Sequence, residues 1–278
     1  MSRSVLAILG DPPRVVDADL PLLRADDTGV LRGESAFETI RLAAGRPAFL
    51  PAHLARLAAS AARVDIALPD GWAALAHCAS QAWGDADGVL RLVCTKGGAG
   101  GPVGYALATE IPPAALAGRD AGVSVVTLTL GVPAGLRAEV PWLLGGVKST
   151  SYAVNMAALR AAHDQGADDA IFVSTDGEVL EAPTSSVCWI TAGRLVTPPA
   201  AAVGILPGTT LEVVLRLAEV PTEVRRATAA ELRESSEVML LSSVRGVAPV
   251  VRLDGRDLHL GPVTRALRDA FEAEVRRP

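Results

Sequence analysis

Apolar and polar positions along this chain switch between a period of two and a period near 3.6. Ser35 to Leu42 (SAFETIRL) reads as a strand, and Gly45-Arg46-Pro47 behind it as a turn between strands. Pro51 to Val64 carries Leu54, Leu57, Ala61 and Val64 at helical spacing. A second helix is predicted from about Trp72 to Ala82, and Gly88 to Thr95 is a buried strand. Lys96 to Pro102 (KGGAGGP) reads as a glycine-rich turn, with Tyr105 to Glu110 returning as a strand. Pro112-Pro113 marks a change of texture, and Ala114 to Gly122 reads as a linker between domains. Beyond it the pattern predicts a strand over Val123–Leu130 and a helix over Ser151–Gln165, closed by Gly166. Strands follow over Ala170–Ser174, Val179–Ala182 and Ser186–Thr191, with turns at Thr175-Asp176-Gly177 and Gly193-Arg194. Gly208 to Leu217 starts a helix, Val238 to Ser242 is a strand, and Arg256 to Arg277 ends the chain as a helix. The alternation predicts an α/β (α+β) protein: a small domain over 1–112, a linker over 113–122 and a larger domain over 123–278.

Composition narrows the classes. Half of the 278 residues are apolar, which excludes a disordered chain, and aromatics are only 4%, so the core is built mainly from Ala, Val and Leu. A formal charge of −5 without a basic run argues against a nucleic-acid surface. Cys78, Cys94 and Cys188 are far apart in sequence, as are the four histidines, so neither a disulfide framework nor a zinc site is expected. No apolar run approaches the roughly 18 residues of a membrane span, and the apolar stretch near the N-terminus is too short for a secretory signal. The expected setting is a reducing, cytoplasmic one, with no membrane or nucleic-acid partner.

The basic residues are skewed: 26 in all, of which only Lys96 and Lys148 are lysines. A bias that trades Lys for Arg accounts for the arginines and makes each remaining lysine informative. Lys148 lies in GGVKSTSYAVNMAAL, just ahead of a predicted helix, where the positive end of the dipole would lower an amine's pKa. An amine of that kind suits Schiff-base chemistry. Glu181, in GEVLEAPTSSV, closes an apolar strand and could pair with a cationic ring nitrogen or be an edge-strand charge. Gly204 to Thr210 (GILPGTT) leads into a helix, where Gly208, Thr209 and Thr210 would either bind an anion or cap the helix.

Taken in order, HLARL, a lysine ahead of a helix, LEAPTSSV, GILPGTT and a strand ending in Ser-Ser resemble the class IV aminotransferase superfamily. These are the fold type IV enzymes of pyridoxal 5′-phosphate (PLP). The resemblance runs from about Asp26 to the C-terminus. It implies a two-domain fold, with a small N-terminal α/β domain and a larger β-barrel-like α/β domain, and it implies PLP as cofactor, a small amino substrate and a homodimer. Lys148 matches the lysine that bonds covalently to PLP and moves the substrate proton. Glu181 matches the glutamate on the pyridinium nitrogen. Arg56 matches the arginine on the phosphate, with Thr209 and Thr210 at the same group and Ser242 and Ser243 on a second turn beside the cofactor. Phe37 and Glu38 match an aromatic–Glu pair lining the substrate pocket, with Thr39 next to them. Arg245 and Arg32 are candidates to anchor a substrate carboxylate, or are surface arginines.

Within the family two activities are considered. KGGAGGPVGYAL lacks the Arg-x-His pair of bacillary D-amino-acid transaminases, and Ala153 stands where branched-chain enzymes carry tyrosine, with Tyr152 one position earlier. Phe37-Glu38-Thr39, Gly104-Tyr105 and KSTSYAVNMAALR are most similar to 4-amino-4-deoxychorismate lyases, which favours that lyase over a transaminase of D-amino acids or related amines.

Overall fold

A computed structural model describes residues 3–277. They cluster into two compact units: residues 3–112 with 147–152 and 275–277, and residues 113–146 with 153–274.

The first unit holds β1 (Ser4–Ile8), β2 (Arg14–Val16), α1 (Thr28–Arg32), β3 (Ser35–Ala43), β4 (Arg46–Pro47), α2 (Leu50–Arg63), α3 (Trp72–Trp83), β5 (Gly88–Gly98) and β6 (Gly101–Thr109). Its sheet runs β2-β1-β6-β5-β3-β4, antiparallel at every step. Ala36, Ile40 and Leu42 of β3 share one face of the strand and pack into a core with Leu50, Leu57 and Ala61 of α2 and Leu75, Ala76 and Ala79 of α3. Phe37 and Thr39 fall on the opposite face. Asp27 is almost wholly buried because it caps α1 through the Gly29 N–H (2.7 Å) and accepts the Thr95 hydroxyl (2.6 Å). The helix ends at Gly33 in the left-handed region, φ 74°.

The second unit holds α4 (Pro113–Ala121), β7 (Val123–Thr129), α5 (Leu136–Glu139), α6 (Ala153–Asp164), β8 (Asp169–Val173), β9 (Ser186–Thr191), β10 (Arg194–Thr197), α7 (Ala200–Val203), α8 (Thr209–Leu217), β11 (Thr222–Val224), α9 (Ala229–Glu234), β12 (Glu237–Ser242), β13 (Gly246–Leu253), β14 (Arg256–Asp257) and α10 (Pro262–Val275). The sheet order is β11-β10-β9-β12-β13-β7-β8, with β14 on β13. Parallel pairs join β13 to β7, β7 to β8 and β10 to β11, and the rest are antiparallel. The core centres on Trp189 with Ile171, Val187, Val196, Val238, Leu240 and Val250. The chain is thus mixed α/β, as the alternation of periods predicts, and each unit has its own sheet and core. Among the described residues no helix is long and apolar enough to cross a membrane, and no cluster of His, Cys, Asp or Glu could hold a metal ion.

Several local expectations need correction. Residues expected as a linker over 113–122 form helix α4, which clusters with the second unit. Residues 147–152, expected in the larger domain, cluster with the first. The glycine-rich turn is much shorter than KGGAGGP, because β5 continues through Lys96 to Gly98 and β6 starts at Gly101. Val179–Ala182 is not a regular strand: it is held by a single bridge from Val179 to Val173 and by backbone bonds between Phe172 and both Leu180 and Glu181. The C-terminal helix starts at Pro262, since Arg256–Asp257 pairs with β13 first.

Candidate active site

Lys148 belongs to an irregular segment, 147–152, that is laced onto the first unit by main-chain and hydroxyl contacts. The Phe37 N–H donates to the Lys148 carbonyl (3.0 Å), and the Lys148 N–H donates to Ser60 Oγ on α2 (3.1 Å). The Thr150 N–H reaches Ser35 Oγ (3.2 Å), the hydroxyls of Ser35 and Thr150 meet, and Ser151 Oγ donates to the Gly33 carbonyl (3.2 Å). The lysine is therefore fixed by its backbone before its side chain does anything. Its Nζ lies 4.4 Å from the centre of the Phe37 ring and 3.2 Å from Tyr152 Oη, and the two rings meet edge to face, with centroids 5.2 Å apart. Helix α6 begins only at Ala153. The dipole effect expected from a helix start beside Lys148 is corrected accordingly, because that effect fades within one turn.

Glu38 faces away from Lys148, among the core-side residues of β3, and is fully buried. It is therefore not a pocket-lining residue as expected. The HLARL spacing sets His53 and Arg56 three residues apart on one face of α2. Arg56 Nε and Nη2 both donate to Glu38 (2.8 and 2.7 Å), and His53 Nδ1 donates to Glu38 Oε2 (2.7 Å). Burial alone would raise the Glu38 pKa, but the hydrogen bonds from Arg56 and His53 outweigh it and hold the carboxyl at about 2. Burial lowers the His53 pKa, against the pull of Glu38, so the ring is neutral with its proton on Nδ1. Helix α2 thus serves the site three times, through His53, Arg56 and Ser60.

In the second unit, Glu181 Oε2 accepts the Leu206 N–H (3.1 Å), and Oε1 lies 3.5 Å from Arg137 Nη1. Gly208, not a threonine, is the N-cap of α8, and no side chain caps this nine-residue helix. Thr209 and Thr210 are buried in its first turn. A Cβ at Gly208 would collide with Ser186 Oγ, so this position is fitted to a backbone without a side chain. Ser242 ends β12, and Ser243 begins the turn to β13. That turn is pinned from two sides. Arg119 donates to the Val244 carbonyl (3.0 Å), while Arg245 Nη2 reaches buried Asp169 Oδ2 (2.6 Å) and Ser185 Oγ (2.7 Å). Arg245 is therefore a largely buried clamp and not a surface arginine. Arg32 is exposed at the end of α1.

The structure brings Lys148 together with Phe37 in the first unit, and Arg56 with Glu38. In the second it collects Glu181, the Gly204–Thr210 turn and the Ser242–Arg245 turn, each on its own support. Sequence reasoning missed Tyr152 as the neighbour of the lysine amine, Ser60 as its backbone anchor, and Arg137 and Asp169 as charge partners. Only Tyr152 carried a signal, through its place four residues after the lysine.

Two outcomes follow from this geometry. Gly33→Ala places a Cβ on Ser151 Oγ and forces a left-handed residue to carry a side chain. The expected cost is about 1–2 kcal/mol in thermal unfolding. Displacement of the lysine segment should reduce turnover on the order of tenfold or more. Glu38→Gln should cost about 3 kcal/mol at neutral pH by removing the charge between Arg56 and His53. Because the folded pKa of about 2 lies below the ordinary 4.5, the Glu38 contribution is complete above pH 4.5 and lost as the pH falls toward 2. Denaturant melts of both proteins across that range should converge at the acid end; a constant gap would contradict the assignment.

A family model described as amino-transferase class IV matches residues 35–253. The bifunctional aminodeoxychorismate lyase / D-amino acid transaminase of Mycobacterium tuberculosis is 38% identical over 278 residues, covering 94% of this chain and 96% of the relative. A solved hypothetical aminotransferase from the same organism, in its apo form, superposes with a TM-score of 0.93 at 38% identity over 98% of this chain and 99% of that one. A fold IV transaminase from Curtobacterium pusillum gives 0.91 at 37% identity over 99% and 100%. The chain belongs to the class IV aminotransferase family.

Proposed function

We propose that this chain is a PLP-dependent 4-amino-4-deoxychorismate lyase that also transaminates D-amino acids at the same site. The observation that carries PLP dependence is a backbone-anchored lysine, one of two in the chain, held by the Ser60 hydroxyl and the Phe37 N–H in the first unit, and the second unit separately offers a carboxylate fixed by the Leu206 N–H. The residues fit the cofactor chemically. Lys148 offers a primary amine, Glu181 a partner for a cationic ring nitrogen, and Arg56 with the Gly208–Thr210 helix start a set of donors for a phosphate dianion. A solved structure of the M. tuberculosis aminotransferase, 37% identical and with a TM-score of 0.92, is a PLP-bound form. Ser242 and Ser243 stand beside these groups in the proposal, and Phe37 and Thr39 line the substrate side.

When bound, PLP supplies the electron sink for the bond broken at the amine-bearing carbon. The chain's own residues do the rest. Glu181 would hold a proton on the ring nitrogen by charge pairing. Lys148 Nζ would take the proton from the carbon that bears the substrate amine. Phe37 and Tyr152 hold the lysine amine at that position. In the lyase reaction the enolpyruvyl group leaves, the proton balance is closed in the methyl group of pyruvate, and the ring becomes the aromatic 4-aminobenzoate. In the transaminase reaction the amino group passes to a 2-oxo acid. The lyase reading is favoured by the sequence resemblance. The second activity is supported by the name of the M. tuberculosis relative, which carries both. The 28% identical relative from Listeria innocua is a D-alanine aminotransferase. Arg245 is assigned to the support of the Ser242–Ser243 turn, through the contacts of its Nη2 with Asp169 and Ser185.

The decisive experiment is run on PLP-loaded protein. Incubation with 4-amino-4-deoxychorismate should release 4-aminobenzoate and pyruvate in equal amounts, and D-alanine should convert the bound cofactor to its amine form. No 4-aminobenzoate from loaded enzyme would sink the lyase reading, and an unchanged absorbance spectrum with D-alanine would sink the transaminase one. Lys148→Ala should abolish both activities. The family resemblance also supports a homodimer, which sedimentation equilibrium should show as twice the 28.6 kDa chain mass.

A further inference from the structure

We propose that Arg137 is a tuning residue for Glu181: it holds the carboxylate ionised and weakly basic, so that the proton shared with the cofactor resides on the ring nitrogen. The inference rests on the reading of Glu181 as the partner of that nitrogen. Three observations support it. Arg137 Nη1 stands 3.5 Å from Glu181 Oε1, and both side chains are mostly withdrawn from solvent, at 23% and 15% exposure. The other carboxylate oxygen is taken by the Leu206 N–H at 3.1 Å, so Glu181 is oriented from two sides. The arginine is itself placed by a fitted backbone. Gly204, φ 62°, would drive a Cβ into the Arg137 carbonyl carbon, and a Cβ at Gly145 would meet the Arg137 carbonyl oxygen. Gly204, Ile205 and Leu206 are consecutive, so one turn both seats Arg137 and donates to Glu181.

The chemistry follows from charge. A guanidinium stays protonated throughout the working pH range, and a cation beside a carboxylate favours its ionised form. Two groups then compete for one proton, the ring nitrogen and Glu181. Lowering the basicity of Glu181 sends the proton to the ring, where it strengthens the electron sink. Without Arg137 the carboxylate becomes the better base and draws the proton toward itself.

The test uses the holoenzyme loaded with PLP labelled with nitrogen-15 in the ring, read by nitrogen NMR at one fixed pH with cofactor content matched by absorbance. Arg137→Met keeps the backbone and the Cβ that Gly145 and Gly204 pack against, together with an unbranched stem, while removing the charge. It should move the nitrogen resonance from the pyridinium position toward neutral pyridine. Arg137→Lys, which keeps a positive charge, should stay at or near the wild-type position. A purely structural role would treat the lysine and methionine variants alike. Glu181→Gln separates the two levels of the argument. If it shifts the resonance and Arg137→Met does not, the role of Arg137 is refuted and Glu181 keeps its own. If Glu181→Gln leaves the resonance unmoved, the reading of Glu181 falls and the inference with it.

Discussion

The site depends first on the hydrogen bond from the Phe37 N–H to the Lys148 carbonyl. It lies at the start of β3, and it ties the lysine segment to that strand. The flanking contacts, Ser35 with Thr150, Ser151 with the Gly33 carbonyl and Lys148 N–H with Ser60, extend the same lacing from Lys148 to Ser151. A reactive amine on a loop would lose precision with every rotatable bond between it and a rigid element. Backbone hydrogen bonds to a strand and a helix remove that freedom up to the Lys148 Cα, leaving only the side chain to be ordered by Phe37 and Tyr152.

A second constraint is the use of alternate faces of β3. The face that carries Ala36, Ile40 and Leu42 is core, and Glu38 is the one charge on it. A fully buried carboxylate is tolerated there only because α2 delivers a forked guanidinium and a neutral imidazole to it. The fork needs planar donors in a fixed geometry, which is what arginine offers and lysine does not. Asp169 is likewise buried against an arginine, through the single contact of Arg245 Nη2. The arginine bias of the composition therefore has a structural use: the chain can bury carboxylates against guanidinium groups. It cannot replace Lys148 in this way, because a guanidinium does not give up a proton to become a nucleophile.

This explains what was legible in the sequence. Strand β3 and helices α2 and α3 announce themselves by period, since burial of one face is what periodicity records. Lys148 announces itself by scarcity, and Glu181 and the Gly208–Thr210 turn by their motifs. The lacing of residues 147–152 leaves no periodic trace, because it is made by main-chain atoms and small hydroxyls from residues distant in sequence. For the same reason the expectation that a helix dipole acts on the lysine failed: a helix was visible ahead, but not the irregular stretch between Lys148 and Ala153. Helix α4 hid behind Pro112-Pro113, where prolines signal a break equally well as the first turn of a helix. Glu38 was misplaced because its motif names a residue type and only the strand's alternation says which way it points.

Arg245 shows where local reading meets its limit. Its position after Ser242-Ser243 fits a substrate anchor, and its residue type fits a solvated surface. What the structure adds is a buried aspartate 76 residues earlier, at the head of β8, which meets its Nη2. By reaching both Asp169 and Ser185, Arg245 ties the turn after β12 to the segment that follows Glu181. Arg119 holds the same turn from the other side, through the Val244 carbonyl. A turn fixed from both sides presents Ser242 and Ser243 in a single arrangement. Two motifs that are separate in sequence are in this way made one support, with Arg245 as the residue that joins them.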